Sequence, residues 1–149
     1  MIDSSDPGAF RIDVLINDNV VCVEPTAILR DVAEVLIGNS IGAVVVGSQD
    51  SPAGIVSQHD IVRAVADGAA ASTTAADIAH TRLFWCEAST TVAEVATQMM
   101  AQYVRHILVE QDGRLLGIVS ARDLLGVYAI GDNFEWRTGS PDPADSSAD

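Results

Sequence analysis

The hydrophobic and polar positions along the chain predict a fixed order of strands and helices. Short apolar runs at 20–23, 43–47 and 53–57 are rich in β-branched residues and indicate strands, the third apolar enough to be covered on both faces. Apolar residues at helical spacing over 28–36, and a further stretch over about 58–67, predict two helices. The pattern therefore predicts a β-α-β-β-α unit.

A second unit with the same order follows the first. The spacing of its apolar residues again predicts three strands and two helices. The strands are expected at 83–86, 106–110 and 115–120, and the helices at 92–103 and about 121–130.

Short segments connect these elements and supply the helix ends. Helical stretches at 12–16 and 75–79 lead into the two units. Thr26, which follows Pro25, and Ser89 precede the first helix of each unit. Because a hydroxyl oxygen accepts a hydrogen bond from the first free amides of a helix, we predict these two residues as N-caps.

The two units are copies of one sequence. Residues 19–66 align with residues 82–129 without a gap at an offset of 63 positions, and ten of the 48 columns are identical. Five of the identities belong to the phrase Gly-Ile-Val-Ser-x-x-Asp, which stands at 54–60 and at 117–123. A fixed offset of this kind is the signature of a tandem repeat.

The repeat also sets the domain boundaries. We assign residues 11–68 to unit 1 and residues 74–130 to unit 2. Residues 1–10 and 137–149 are small, polar and acidic, with proline and glycine. We therefore predict a flexible N-terminus at 1–10 and a flexible acidic C-terminal tail at 131–149.

Charge narrows the choice of partners. The formal net charge is −13, and all eight basic residues are arginine. This balance argues against nucleic acid or an anionic membrane as a partner, and the absence of lysine excludes a Walker phosphate loop. An anionic ligand would have to be held by arginine, by histidine and by helix N-termini. There is no long apolar run and no signal-like N-terminus, so we expect a cytoplasmic protein.

Motifs for metal binding and catalysis are missing. Cys22 and Cys86 lie in apolar strand-like stretches, where cysteine is usually an inert packing residue. Four zinc ligands at a sensible spacing cannot be assembled. No pattern places a nucleophile beside a base, so we predict no metal site and no enzyme activity. Taken singly, His59 and His80 are interpreted as surface histidines.

The doubled unit and its phrase resemble a known family. Two β-α-β-β-α units that each end in Gly-Ile-Val-Ser-x-x-Asp, together with "YVRHILV" at 103–109, resemble the tandem CBS-domain pair, or Bateman module. The resemblance covers roughly residues 12–130. It implies an α/β fold of the α+β type, in which two CBS units pack with pseudo-twofold symmetry around two clefts.

The resemblance also implies a ligand and its contacts. Such clefts hold adenosine compounds: AMP, ADP, ATP, S-adenosylmethionine, NAD or a cyclic dinucleotide, with or without Mg²⁺, and no cofactor is required. By position in the motif, the aspartates would hold the ribose, and the serines would lie nearby. Basic residues would approach the phosphates. The chain that enters the first strand of each unit would contact the base. The residues are Asp60, Ser57, His59 and Val21 for unit 1 and Asp123, Ser120, Arg122, Arg105, His106 and Phe84 for unit 2.

Three features leave alternatives open. Ser-x-x-Asp before a helix is also the pattern of a capping box, in which the acid satisfies backbone amides. Where unit 2 has Arg105 and His106, unit 1 has Gly42 and Ala43, so the clefts cannot treat phosphate alike. Trp85 could stack on an adenine, although a ring in a strand is more often part of the core.

The family resemblance gives two hypotheses for function. The first is a sensor: a homodimer that binds an adenosine-type small molecule and signals to a regulated protein whose identity is unknown. The second is an interaction module that dimerises and binds no nucleotide.

Overall fold

The structure is a computed structural model, and it describes residues 6–16 and 20–129. Within these ranges the chain forms six strands and five α-helices, and 3-10 turns at Pro7–Ala9 and Ile12–Leu15 precede them. In chain order the elements are β1 (Cys22–Val23), α1 (Leu29–Gly38), β2 (Ala43–Gly47), β3 (Pro52–Ser57), α2 (Gln58–Ala66), α3 (Ala75–Ile78), β4 (Trp85–Glu87), α4 (Val92–Gln102), β5 (His106–Gln111), β6 (Arg114–Ser120) and α5 (Ala121–Ala129).

Each unit contains one three-stranded sheet, and both sheets have the same topology. The order is β1-β2-β3 in unit 1 and β4-β5-β6 in unit 2, with the first pair parallel and the second antiparallel. The predicted β-α-β-β-α order and the α/β class are confirmed. The first strands are shorter than the apolar runs predicted, because β1 begins at Cys22 and β4 at Trp85.

The predicted N-caps of α1 and α4 are wrong. Helix α4 is capped by Thr91, whose hydroxyl accepts from Glu94 N while the Glu94 carboxylate accepts from Thr91 N. The corresponding position in unit 1 is Ile28, which has no capping side chain. Thr26 is not at the helix end because the chain first makes a turn, closed by a hydrogen bond from Ala27 N to the Glu24 carbonyl.

Three apolar clusters form the core. One lies between the sheet and the helices of unit 1, around Val32, and a second lies in the same place in unit 2, around Val95. The third lies between the two sheets and includes Val45, Ile55 and Leu108. The sheets are thus buried on both faces, which explains the continuous apolar character of β2 and β3.

The segments leading into the two units are exchanged. Ile12, ahead of unit 1, is fully buried in the core of unit 2, and its N–H donates to the Thr90 carbonyl at 2.7 Å. Ala75, ahead of unit 2, is fully buried in the core of unit 1 and donates to the Ala27 carbonyl at 2.7 Å. Each unit is therefore completed by residues that precede the other unit.

The glycine of the repeated phrase makes room for this exchange. A Cβ on Gly54 would lie 2.9 Å from the His80 carbonyl oxygen, and one on Gly117 would lie 2.9 Å from Cγ2 of Ile16. These distances are shorter than real side chains allow. Glycine is needed at both positions because the exchanged segment crosses the strand there.

The chain ends are described only in part. Residues 6–10, within the predicted flexible N-terminus, pack on unit 2: Gly8 is buried and the Phe10 carbonyl accepts from Val92 N. Residues 1–5 and the predicted tail at 131–149 lie outside the described residues, so the domain boundaries remain a prediction. In the described part of the chain, no helix has the length and apolar character needed to cross a membrane.

Candidate functional site

Sheet register brings four of the predicted residues of unit 2 to one strand end. His106 begins β5 and pairs with Ser120, the last residue of β6. The carbonyl of Arg105 accepts from Ala121 N, which places Arg105 beside the first turn of α5. Asp123 lies in that same turn. The predicted ribose and phosphate residues of this unit are therefore neighbours in space.

Asp123 uses one carboxylate oxygen to cap α5. Its Oδ2 accepts from Ser120 N at 2.8 Å, and the Ser120 hydroxyl accepts from Asp123 N at 3.1 Å. This reciprocal pair is the capping box that the Ser-x-x-Asp spacing allowed. Asp123 is exposed, and within residues 6–16 and 20–129 no hydrogen bond reaches its Oδ1. One oxygen remains open to solvent on this side of the molecule.

The basic residues around Asp123 are of two kinds. Arg105 and Arg122 are exposed, and neither forms a salt bridge with a carboxylate of the described residues. His106 is half-buried, and burial lowers its pKa against the opposing effect of the Asp123 and Asp60 carboxylates. The two arginines are thus available to an anion, whereas His106 is largely an internal residue.

The corresponding carboxylate in unit 1 has a different environment. Asp60 is buried, and its Oδ2 accepts from both Ser57 N at 2.8 Å and the Ser57 hydroxyl at 2.9 Å. Its Oδ1 lies 2.7 Å from Nε2 of His80. Both oxygens of Asp60 are therefore engaged within the protein, and the two halves of the repeat are not equivalent.

His59 is the third predicted site residue of unit 1 with a polar side chain. It takes no part in the contact between Asp60 and His80. It is exposed, and its Nε2 lies 2.9 Å from a guanidinium nitrogen of Arg63, one helical turn further along α2. Gly42 and Ala43 occupy the places of Arg105 and His106 and carry no charge. The basic side chains near Asp60 are instead Arg63 and His80, which line the same cavity as this carboxylate.

The two residues predicted to lie near a base pack toward the interior. Val21 and Phe84 are half-buried against the helix-side clusters of their own units, and their carbonyls accept from Val45 N and Leu108 N respectively. Arg82 lies over the Phe84 ring, 5.3 Å from its centre. Trp85 packs in the cluster between the sheets, as expected for a core residue.

His80 is the residue that sequence reasoning missed. It was interpreted as an isolated surface histidine, and its side chain is indeed 62% exposed, but its ring is bonded to the buried Asp60. The two residues are 20 positions apart and belong to different units by the repeat. The one feature of the sequence that could have indicated this contact is the position of His80, which directly follows the segment that leads into unit 2.

The two cysteines lie in the first strands of the two sheets, β1 and β4. Neither Cys22 nor Cys86 is in a disulfide, and burial raises the pKa of Cys86 to about 11, so its thiol is protonated at neutral pH. In the part of the chain that the structure describes, no three His, Cys, Asp or Glu side chains are grouped as a metal site would require.

Comparison with known proteins identifies relatives of the whole repeat. The family model described as CBS domain matches residues 12–67 and again residues 75–130. Among curated proteins, hypoxic response protein 1 of Mycobacterium tuberculosis is 29% identical over 113 residues, which cover 74% of this chain and 79% of that protein.

Solved structures of similar proteins share the fold over most of their length. A CBS-domain-containing protein from Agrobacterium tumefaciens is 30% identical, with a TM-score of 0.74, over 80% of this chain and 99% of the other. A CBS domain protein from Pyrobaculum aerophilum, solved in complex with AMP, is also 30% identical, with a TM-score of 0.68, over 80% of this chain and 98% of the other.

Proposed function

Because the chain belongs to the CBS-domain family and carries two such domains in tandem, we propose that it is a sensor whose unit 2 binds an adenosine-containing ligand. Occupancy of that site would shift the packing of the units and so be passed to a regulated protein. The relative from Pyrobaculum aerophilum, whose structure contains AMP, supports this class of ligand.

The observation that carries the proposal is the open carboxylate oxygen of Asp123. An exposed carboxylate can accept two hydrogen bonds from the cis-diol of a ribose, and here Oδ2 is fixed by the cap while Oδ1 faces solvent. Arg105 and Arg122 flank it and can donate to a phosphate. The nine-residue helix α5 adds the partial positive charge of its N-terminus.

Calorimetric titration of the protein with AMP and with adenosine tests this assignment. Asp123→Ala is expected to weaken both ligands by about 30- to 1000-fold, the scale of a two-pronged contact to a charged group. Asp31→Ala is the matched control, because it removes the same charge from an exposed helical position of unit 1. Equal binding by the Asp123 and Asp31 variants would refute the ribose assignment.

Exposed apolar side chains support the homodimer as part of the proposal. They form three pairs related by the 63-residue offset, and a monomer would leave all six in water. The pairs, with exposed fractions, are Ile37 (78%) and Met100 (78%), Val62 (65%) and Leu125 (68%), and Val65 (68%) and Tyr128 (45%).

Sedimentation at micromolar concentration tests the assembly. The wild type is expected to sediment as a dimer, and Val62→Asp with Leu125→Asp as a monomer near 15.6 kDa. The same faces would also serve an interaction module without a nucleotide. A dimer that binds neither AMP nor adenosine would favour that second hypothesis over the sensor.

A further inference from the structure

Asp60 has little capacity left to accept a hydrogen bond. Three donors already reach its carboxylate: the Ser57 N–H, the Ser57 hydroxyl and, at 2.7 Å from the other oxygen, the His80 ring. The Asp60 side chain is only 7% exposed. A ribose would have to displace His80 before its hydroxyls could reach this carboxylate.

The backbone of His80 is held in place independently of its ring. Its N–H donates to the Ile55 carbonyl at 2.9 Å, and its carbonyl accepts from Ile55 N at 3.0 Å. Gly54 allows this bridge to lie directly on β3, since any larger residue would meet the His80 carbonyl. The position of the imidazole over Asp60 therefore follows from the exchange of the leading segments.

The space beside Asp60 and His80 is small. It is a cavity of about 170 Å³, lined by Asp60, Arg63, Ala64, Asp67, Ile78 and His80. Pockets for small molecules usually measure about 300–1,000 Å³. With His80 in place, the space is smaller than such a pocket.

We propose that His80 closes the first cleft by occupying Asp60, so that the protein binds one nucleoside per chain, at Asp123. This rests on the proposed function for the identity of the ligand. It assigns His80 a role that neither the phrase nor the composition of unit 1 indicates: it decides which half of the repeat binds. Removal of the imidazole is then expected to create a second site.

Adenosine is the probe for the test, because it reports on the ribose contact and needs no phosphate contact. Stoichiometry is measured by calorimetry on the wild type, Asp123→Ala, His80→Ala and the variant with both changes. The expected values are one, none, two and one site per chain. In the Asp123→Ala background, His80→Ala should raise adenosine affinity about tenfold or more, the size of one hydrogen bond to a charged group.

Thr81→Ala is the matched control, because Thr81 is the exposed neighbour of His80. It should leave the stoichiometry at one. His80→Ser gives the same test should the alanine variant not fold. Two sites in the wild type, or none in the double variant, would overturn the role of His80.

The same titrations separate this inference from the proposed function. If the wild type binds no adenosine, the assignment of the ligand site to Asp123 fails. The number of adenosine sites in His80→Ala then tests the role of His80 separately. One site in that variant would support the proposal that His80 closes the first cleft, and no site would refute that proposal as well.

Discussion

The imidazole of His106 lies against Gly42, across the boundary between the two units. A Cβ on Gly42 would be 3.4 Å from Nε2 of His106, which is an ordinary contact distance. Gly42 aligns with Arg105 of unit 2, and Ala43 aligns with His106. The histidine of the basic pair in unit 2 thus packs on a position where unit 1 lacks its own basic residue.

His106 is expected to make stability depend on pH. Burial lowers its pKa in the folded protein below the ordinary value of 6.5, so protons bind more readily to the unfolded chain. Its contribution to stability is complete above about pH 6.5 and is lost as the pH falls below that value. Asp123, Asp60 and Arg105 are the charged groups that act on it.

The free energy of unfolding of the wild type and of His106→Gln is measured by urea melts at pH 7.5 and at pH 5.5. The wild type should lose more free energy of unfolding between the two values than the variant does. Gln102→Ala is the control, since Gln102 is exposed at the end of α4 and carries no titratable group, so that variant should follow the wild type. An unchanged pH dependence in the His106 variant would contradict the burial effect.

The two glycines of the repeated phrase are expected to differ in the cost of an added side chain. Gly54→Ala would press a methyl group against the carbonyl oxygen of His80, a residue whose N–H and carbonyl are both hydrogen-bonded to Ile55, and should cost about 1–3 kcal/mol of unfolding free energy. Gly117→Ala meets the side chain of Ile16, which can move, and should cost less.

Gly126→Ala is the internal control for these two variants. Gly126 lies in helix α5, and nothing is within 4 Å of its added Cβ. Alanine should therefore stabilise the helix by about 0.5–1 kcal/mol. Thermal or urea unfolding measures all three, and equal effects at Gly54 and Gly126 would contradict the close approach.

The two aspartates of the phrase are expected to differ in their effect on the empty protein. Asp60→Ala removes a buried carboxylate with three donors and should lower the free energy of unfolding by about 1–3 kcal/mol. Asp123→Ala removes an exposed cap and should cost about 0.5–2 kcal/mol. Urea melts without ligand compare them, and a larger loss at Asp123 would speak against the buried contacts of Asp60.

Phosphate recognition is expected to depend on Arg105. Arg105→Ala should weaken AMP by about 1.5–3 kcal/mol, the size of a hydrogen bond to a charged group, and leave adenosine nearly unchanged. Arg114→Ala serves as control because Arg114 is an exposed arginine at the opposite end of strand β6. Equal losses for AMP and adenosine would show that Arg105 does not contact the phosphate.

Local order was predictable because it depends on spacing and on the repeat. The apolar runs located β2 within its exact bounds, and the Ser-x-x-Asp phrase located the starts of α2 and α5. The capping boxes were weighed as an alternative, and the structure contains both of them. The N-cap of α4 was missed by two residues because Ser89 and Thr91 are both hydroxyl residues in the same turn.

Contacts between the units were not predictable in the same way. Nothing in the spacing indicates that Ile12 lies in the core of unit 2 or that His80 reaches Asp60, because those contacts depend on how the two sheets pack. From the repeat, the two clefts were expected to differ only in their basic residues. The structure adds a second difference, since one carboxylate is buried under a histidine and the other is exposed.

The exchange of leading segments has a consequence for dissecting the molecule. A fragment cut at the boundary of the repeat would lose the piece that closes its own core and keep the piece that belongs to its neighbour. Residues 20–80 contain all the parts that surround the core of unit 1, including Ala75 and His80. Unit 2 would need residues 6–16 joined behind residue 129, as in a circular permutant. The structural halves of this chain are therefore offset from its repeats by one segment.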